Sequence, residues 1–471
     1  MGPSFTCNVV RKLLKAVGSA NRTDNNGVCR VDLPDFSLMS PAEAKASWLA
    51  YNLGRKRVVS NPSLRDEAIS SFLECEEQNA EFNSGDLPDW VAPYVVRASQ
   101  ICEDILGEHP VLSRIYLDSV FTGGASTSRK RSEAHPALKW WARPRIDVTP
   151  LALRHLVGVW KTSEVLDVAW GMPGVLSSTS GDFPVGSFRG VPCPFNIVPG
   201  SRFDTVPKDA STDRTILIEP DGNMLLQRGV GITIARSLRK VGIDLRSQAH
   251  NQHLAYLGSR DGDIMTVDLR NASNRLTRLL CCLLLPPKWY ELLLELRSPL
   301  TRMPDGSWKT LEMISSMGNG YTFELESLIF YALTKSVLDV EKCPDQRIAI
   351  FGDDIACNGS VFVQLRNCFE ALGLEVNSSK SFHKGPFRES CGKHYQNGVD
   401  VTPFYIKEDA VDGELLRIIN SFHSWCTDGD FTILPPVLEH RTALLWLVAQ
   451  VRKDLRNQIP LEYSNNCGLY S

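Results

Sequence analysis

The 471-residue chain has no apolar run long enough to span a bilayer; the longest, near Leu279 to Leu285, stops at Pro286-Pro287. Residues 1–20 lack a secretory h-region, so no membrane association is expected. The 13 cysteines contain no Cys-x-x-Cys and no Cys/His pair at zinc spacing. That excludes a zinc finger or ribbon and suits a reduced, cytosolic compartment. Charge of one sign is also missing: 51 basic residues face 54 acidic ones, a net charge of −3. A uniformly basic nucleic-acid binder is excluded, but a neutral protein with a basic channel is not. No internal repeat and no disordered composition occur.

What is present is a sizeable, ordinary globular composition, 43% hydrophobic and 22% charged, long enough for two or three lobes. Its organising stretch is Gly352-Asp353-Asp354, flanked by the apolar runs Ile348 to Phe351 and Ile355 to Cys357. This pattern predicts a tight β-hairpin with Gly-Asp at the reversal. Adjacent carboxylates repel, and a divalent cation relieves that repulsion. Chance alone supplies such a tripeptide in on the order of one chain in ten of this length, so its partners decide its meaning. Upstream, Asp263 to Leu269 alternates as a strand ending on Asp268, and Ser315 to Gly320 is a glycine-rich loop feeding an apolar helix from Thr322 to about Val340.

Charge is distributed in segments. Residues 64–108 are acidic and read as a solvated helical face. Arg129, Lys130, Arg131, Lys139, Arg143 and Arg145 cluster around Trp140 and Trp141, which suits phosphate neutralisation with base stacking, or a plain surface loop. Two strands over 201–220 carry Arg202, Lys208 and Arg214, with Glu219 placed to pair one of them. Ser40-Pro41 opens a capped helix. Residues 171–200 read as loop or short strands, the stretch from Gly385 to Phe404 as turn-rich, and 412–426 and 436–456 as helices.

If the strand ending on Asp268 lies beside the hairpin, Asp268, Asp353 and Asp354 meet at one edge. Three carboxylates there call for two divalent cations, the arrangement used for in-line phosphoryl displacement. With the glycine loop and the basic strands before it, the order favours a template-directed nucleotidyltransferase.

At Ser315-Ser-Met-Gly-Asn-Gly-Tyr-Thr-Phe-Glu-Leu-Glu-Ser-Leu-Ile-Phe330 and Gly385-Pro-Phe-Arg-Glu-Ser-Cys-Gly-Lys-His-Tyr395 the chain resembles the RNA-directed RNA polymerase subunit (replicase beta subunit) of the small RNA bacteriophages, the family of Qbeta replicase. Gly398 to Ile406, Val206-Pro-Lys208, Asp213-Arg214 and Ile218-Glu-Pro220 continue the likeness, which is strong over about 200–407 and weak outside it. The resemblance implies an α+β right-hand polymerase fold with fingers, palm and thumb, and an antiparallel palm sheet flanked by helices. It divides the chain into an N-terminal helical region (1–120), fingers (121–260), palm (261–400) and a shortened thumb (401–471). It implies Asp268, Asp353 and Asp354 as ligands of two Mg²⁺ ions, with Mn²⁺ a possible substitute. It implies Arg202, Lys208 and Arg214 as holders of nucleotide phosphates, and Gly318, Asn319 and Gly320 as the loop at the template and nascent base pair. Lys380 matches the lysine proposed to protonate pyrophosphate, for which an exposed strand-end lysine is the plain alternative. The implied partners are RNA template and product, ribonucleoside triphosphates, and host elongation factors Tu and Ts with a ribosomal small-subunit protein, in the cytoplasm of a bacterial host. Two departures stand out. Asn274 occupies a position where the family usually has aspartate, at the nucleotide sugar, and Arg270 replaces a serine. They leave open a catalytically impaired RNA-binding relative, and a reverse-transcriptase-like polymerase shares the same layout.

Overall fold

The computed structural model describes residues 3–18, 35–54, 63–140, 146–162, 187–188, 191–192, 195–209, 212–406 and 408–470. Trp141, Arg143, Arg145 and most of 171–200 lie outside them. The architecture mixes helices and strands around one large core and a second, smaller one.

The large core is organised on the helix Thr322–Val340, whose sequence is apolar nearly all round and is buried accordingly. Helices Ala92–Leu106 and Asp221–Lys240 pack against it. Beside it lies a three-stranded antiparallel sheet in the order Ile348–Phe351, Asp354–Asn358, Ile264–Val267. Phe351 pairs Asp354, leaving Gly352-Asp353 as a two-residue turn. Gly352 has φ +63° and a Cβ there would come within 2.7 Å of the Phe323 ring, so both backbone and space require glycine.

A second sheet runs Trp308–Thr310, Leu300–Arg302, Gly200–Pro207, Asp213–Ile218. Helix Ser63–Ser84 covers one face of it, with Phe72 packed on Phe203, Leu217 and Met303. The acidic face read from this segment is exposed at Asp66, Glu67, Glu74 and Glu77, but Glu76 is buried. Its carboxylate accepts from the Glu312 amide at 2.7 Å and from Asn79 at 2.9 Å.

The smaller core joins the chain's two ends. Helices Pro3–Ala16 and Pro41–Gly54 pack with Asp412–Thr427 and Leu438–Gln450 through Leu13, Leu49, Ile418, Phe422 and Leu447. At Ser40 the expected cap is a reciprocal pair: the Glu43 amide donates to the Ser40 hydroxyl at 3.3 Å, and the Ser40 amide to the Glu43 carboxylate at 2.9 Å. The last helix stops at Gln450 rather than 456. The region after Gly385 is more regular than its turn content suggested. Strands Phe387–Ser390, Lys393–Gln396 and Val399–Asp400 form an antiparallel meander. Its two-residue turns, Cys391-Gly392 and Asn397-Gly398, have positive φ at both positions. No helix among the described residues is long and apolar enough to cross a membrane.

Candidate active site

A cavity of about 660 Å³ opens where the two sheets approach each other. Asp268, Asp353, Asn274, Lys208, Arg214 and Lys380, all singled out in the sequence, line it. The strand register explains the first two. Ile355 pairs Val267, so the next step places Asp354 across from Asp268 at the strand ends, with Asp353 one residue further out on the turn.

Asp268 is fixed from behind by the segment that follows the short strand Glu375–Val376. Asn377 donates its side-chain NH₂ to the Asp268 carboxylate at 2.7 Å and its amide to the Asp268 carbonyl at 2.9 Å. Burial raises the Asp268 carboxyl to about 6; the charge of Lys380 opposes that rise and the charge of Asp353 adds to it.

Asp354 does not line the cavity. One of its carboxylate oxygens accepts from the Cys391 amide at 3.1 Å and the Ser390 hydroxyl at 3.3 Å, tying the hairpin to the meander. Burial pushes its carboxyl up to about 6.

Arg202 also stands outside the cavity, on an exposed face of the second sheet. The glycine loop meets the cavity through Met317 rather than through Gly318, Asn319 or Gly320. Its backbone is laced to the neighbouring strand: the Leu217 amide donates to the Met317 carbonyl at 2.8 Å. A Cβ at Gly318, with φ +112°, would fall 2.1 Å from the Leu217 carbonyl oxygen. The Gly320 amide donates to Gln227 at 3.0 Å.

The two residues read in the sequence as departures, Asn274 and Arg270, have local partners. Asn274 donates its NH₂ to the Thr215 hydroxyl at 3.3 Å. Arg270 pairs at 3.0 Å with Glu375, its register partner on the adjacent strand. An acid thus stands directly across from the substituted position.

Three contributors escaped the sequence reading. Glu326 lines the cavity from the central helix and accepts from the Ser273 hydroxyl at 3.0 Å. Burial, reinforced by the Asp353 charge, pushes its carboxyl up to about 8. Its signal was an acid at a buried turn of an otherwise apolar helix. Asn377 was legible only as a polar residue in the turn before Lys380. Helix Ser63–Ser84 contributes Leu64, Glu67, Ala68, Ser71 and Phe72 to the cavity wall, and nothing local in its sequence announces that role.

Two other expectations are corrected. Glu219 pairs no arginine; it is buried and accepts from Ser298 at 2.7 Å and Gln227 at 3.2 Å. In the first basic cluster, Arg129 and Lys139 are buried. Arg129 meets Asp221 at 2.9 Å, and Lys139 donates to the carbonyls of Thr122 and Gly124 at 2.7 and 2.6 Å. Both are held by internal groups, whereas Lys130 and Arg131 of the same cluster are exposed.

A family model described as RNA replicase, beta-chain, matches residues 16–464. The chain belongs to that family. The match extends well beyond 200–407, on both sides. The chain is 41% identical over 374 residues to the RNA-directed RNA polymerase subunit beta of Escherichia virus Qbeta, covering 77% of this chain and 58% of that one. It is 38% identical over 388 residues to the subunit of Enterobacteria phage SP, covering 82% and 62%. It is 34% identical over 426 residues to that of Qbeta virus strain MX1, covering 87% and 68%. The chain therefore spans about three-fifths of the length of the replicase-family relatives it matches. Among solved structures, it is similar to the RNA-dependent RNA polymerase of a human picorbirnavirus, at 14% identity and TM-score 0.36 over 80% of this chain and 88% of that one. It is also similar to a chain of an RdRp complex, at 11% identity and TM-score 0.43 over 76% and 32%. These likenesses are loose.

Proposed function

We propose that this replicase-family chain catalyses template-directed RNA synthesis from ribonucleoside triphosphates on an RNA template, in the cytoplasm of a bacterial host, on a right-hand polymerase framework. The observation that carries the reading is the single cavity in which Asp268 and Asp353 face Lys208, Arg214, Lys380 and Asn274. Among the described residues no three His, Cys, Asp or Glu side chains form a ready-made metal cage. Mg²⁺ does not require one, since it keeps several waters and binds through one or two carboxylates plus substrate phosphates. A carboxyl whose proton affinity is raised by burial and by the charge of a neighbouring carboxylate, as Asp268 is by Asp353, belongs to a donor set that a divalent cation suits. Asp268 and Asp353 would hold it, with Asp354 beside them, and it would supply charge neutralisation for the phosphates and the attacking oxygen.

The remaining work falls to the chain's own groups. Lys208 and Arg214 hold the triphosphate, and Asn274 meets the sugar through hydrogen bonds without charge. Asn377 keeps the Asp268 carboxylate turned to the cavity. The 3′-hydroxyl of the growing strand attacks the α-phosphate in line, the bond to pyrophosphate breaks, and Lys380 donates a proton to the departing oxygen. The Met317–Gly320 loop, held to the Asp213–Ile218 strand, supports the nascent pair. The reading extends to host elongation factors Tu and Ts and a ribosomal small-subunit protein as partners, tested by co-purification from an infected host.

Synthesis on an RNA template with labelled nucleotides tests the activity. Asp353→Asn is expected to lower the rate at least about a hundred-fold while RNA binding persists. An intact chain, supplied with those host partners, that binds RNA but yields no template-dependent product would sink the reading in favour of an RNA-binding relative. Preference for deoxynucleotides would instead favour a reverse transcriptase.

A further inference from the structure

Of the three cations that the resemblance assigns to nucleotide phosphates, Arg202 alone does not line the cavity. The strand register shows where it belongs. Arg202 pairs Arg302 on the parallel neighbour, and Arg302 pairs Trp308 on the next strand. All three side chains are exposed, Trp308 at 44%. Strands lie about 4.8 Å apart, so the row crosses roughly 10 Å of sheet. The alternate residues Phe203 and Met303 point the other way, under Phe72 of the covering helix.

Two guanidinium groups directly opposite each other on a sheet repel. Neither Arg202 nor Arg302 has an acid within ion-pair distance among the described residues. The next residue on the same face, Asp204, is engaged by Arg65 at 3.7 Å. The fold therefore bears an uncompensated like-charge pair beside an exposed indole. A polyanion with stackable bases reverses that cost: phosphates neutralise the arginines, and tryptophan offers a flat face to a base. The same sheet face continues along the strand to Val206, whose partner is Arg214 of the cavity wall. Four residue steps along the strand take Arg202 to Val206, about 13 Å. A strand of RNA lying on the row is thus led toward the reacting centre.

We propose that Trp308, Arg302 and Arg202 form a contact surface for single-stranded RNA outside the catalytic cavity, with the arginines on phosphates and Trp308 against a base. The choice of RNA as the polyanion rests on the polymerase reading.

Fluorescence anisotropy with a short unstructured RNA oligonucleotide, titrated at several salt concentrations, tests it. Trp308→Ala is expected to weaken binding about ten-fold, and Trp308→Phe to restore most of the loss. Removing both guanidinium groups (R202A with R302A) is expected to lower the slope of log affinity against log salt by about 1.4. Arg452→Ala, which removes one positive charge from a distant exposed ion pair, is the control and is expected to leave affinity and slope unchanged. Wild-type affinity and slope in the Trp308 and arginine variants overturn the surface, as does an equal loss in the Arg452 control. These outcomes do not depend on synthesis. An intact chain that makes no product yet binds RNA through this row would overturn the polymerase reading and leave the surface standing.

Discussion

The segment from Ser126 to Lys139 and the strand pair from Gly200 to Ile218 are both basic in sequence, but they use their cations in opposite ways. In the first, Arg129 and Asp221 are sealed from water, with side chains 1% and 0% exposed. Ser126 and Ser128 also donate to the Asp221 carboxylate. These groups form a buried lock between a loop and the start of helix Asp221–Lys240. In the second, Lys208 and Arg214 line the cavity and Arg202 faces solvent. The difference lies in what stands opposite. A buried acid some ninety residues away in sequence claims Arg129, whereas the strand partners of Arg202 and Arg214 are Ile218 and Val206. Positive charge marks a binding surface only where the fold provides no internal anion.

Arg129→Ala should have the largest effect. It leaves Asp221 buried without its cation, and removal of one member of a buried pair costs about 3–5 kcal/mol. Denaturant unfolding should show that loss.

Glu219 tests the same contrast from the acid side. It lies two residues before Asp221, fully buried and without a salt bridge among the described residues, and burial pushes its carboxyl up to about 7 against the opposing hydrogen bonds from Ser298 and Gln227 and the charge of Arg297. The folded value lies above the ordinary glutamate range. Its contribution to stability is therefore complete below about pH 4 and is lost as pH rises through about 7, on the order of 3 kcal/mol in total. Glu219→Gln should flatten stability against pH across that window and raise stability at pH 8. An unchanged profile would mean that the carboxyl is already compensated in the fold.

Arg214→Ala should do the reverse of Arg129→Ala. Stability should stay within about 0.5 kcal/mol, as for a partly exposed substitution, while KM for the triphosphate rises about ten-fold, the value of one charge-assisted hydrogen bond. Steady-state kinetics with saturating template measures it. An unchanged KM would remove Arg214 from the phosphate site.

How much of this was legible depended on range in sequence. The hairpin around Gly352 could be read because its turn residues and flanking apolar runs are adjacent. Asp268 could be read because strand alternation ended on it. The strands after Gly385 could have been read from Asn397-Gly398, a strong two-residue turn signal, but the abundance of turns hid the short strands between them. Glu326, Asn377 and the helix Ser63–Ser84 were not legible, because their place at the cavity is set by tertiary packing rather than by local pattern. The same reason kept Arg129 and Arg214 alike in the sequence: burial of a cation depends on a distant acid. Asp354 illustrates the limit at a single residue, since its neighbour Asp353 shares its chemistry while only Asp353 reaches the cavity wall.

Arg270 supplies the smallest and most discriminating case. It lines the cavity like Arg214, yet it has an acid opposite it, as Arg129 does: Glu375 lies at 3.0 Å, with the two side chains 55% and 46% exposed. An exposed pair of this kind contributes about 0–1 kcal/mol. If the opposing acid decides a cation's use, Arg270 serves the strand pair rather than substrate. Arg270→Ser should then shift stability by less than about 1 kcal/mol and leave KM for the triphosphate within about two-fold. A rise in KM as large as that of Arg214→Ala would show that Glu375 does not hold Arg270 away from substrate. The rule drawn from Arg129 would then apply only to cations the fold buries completely.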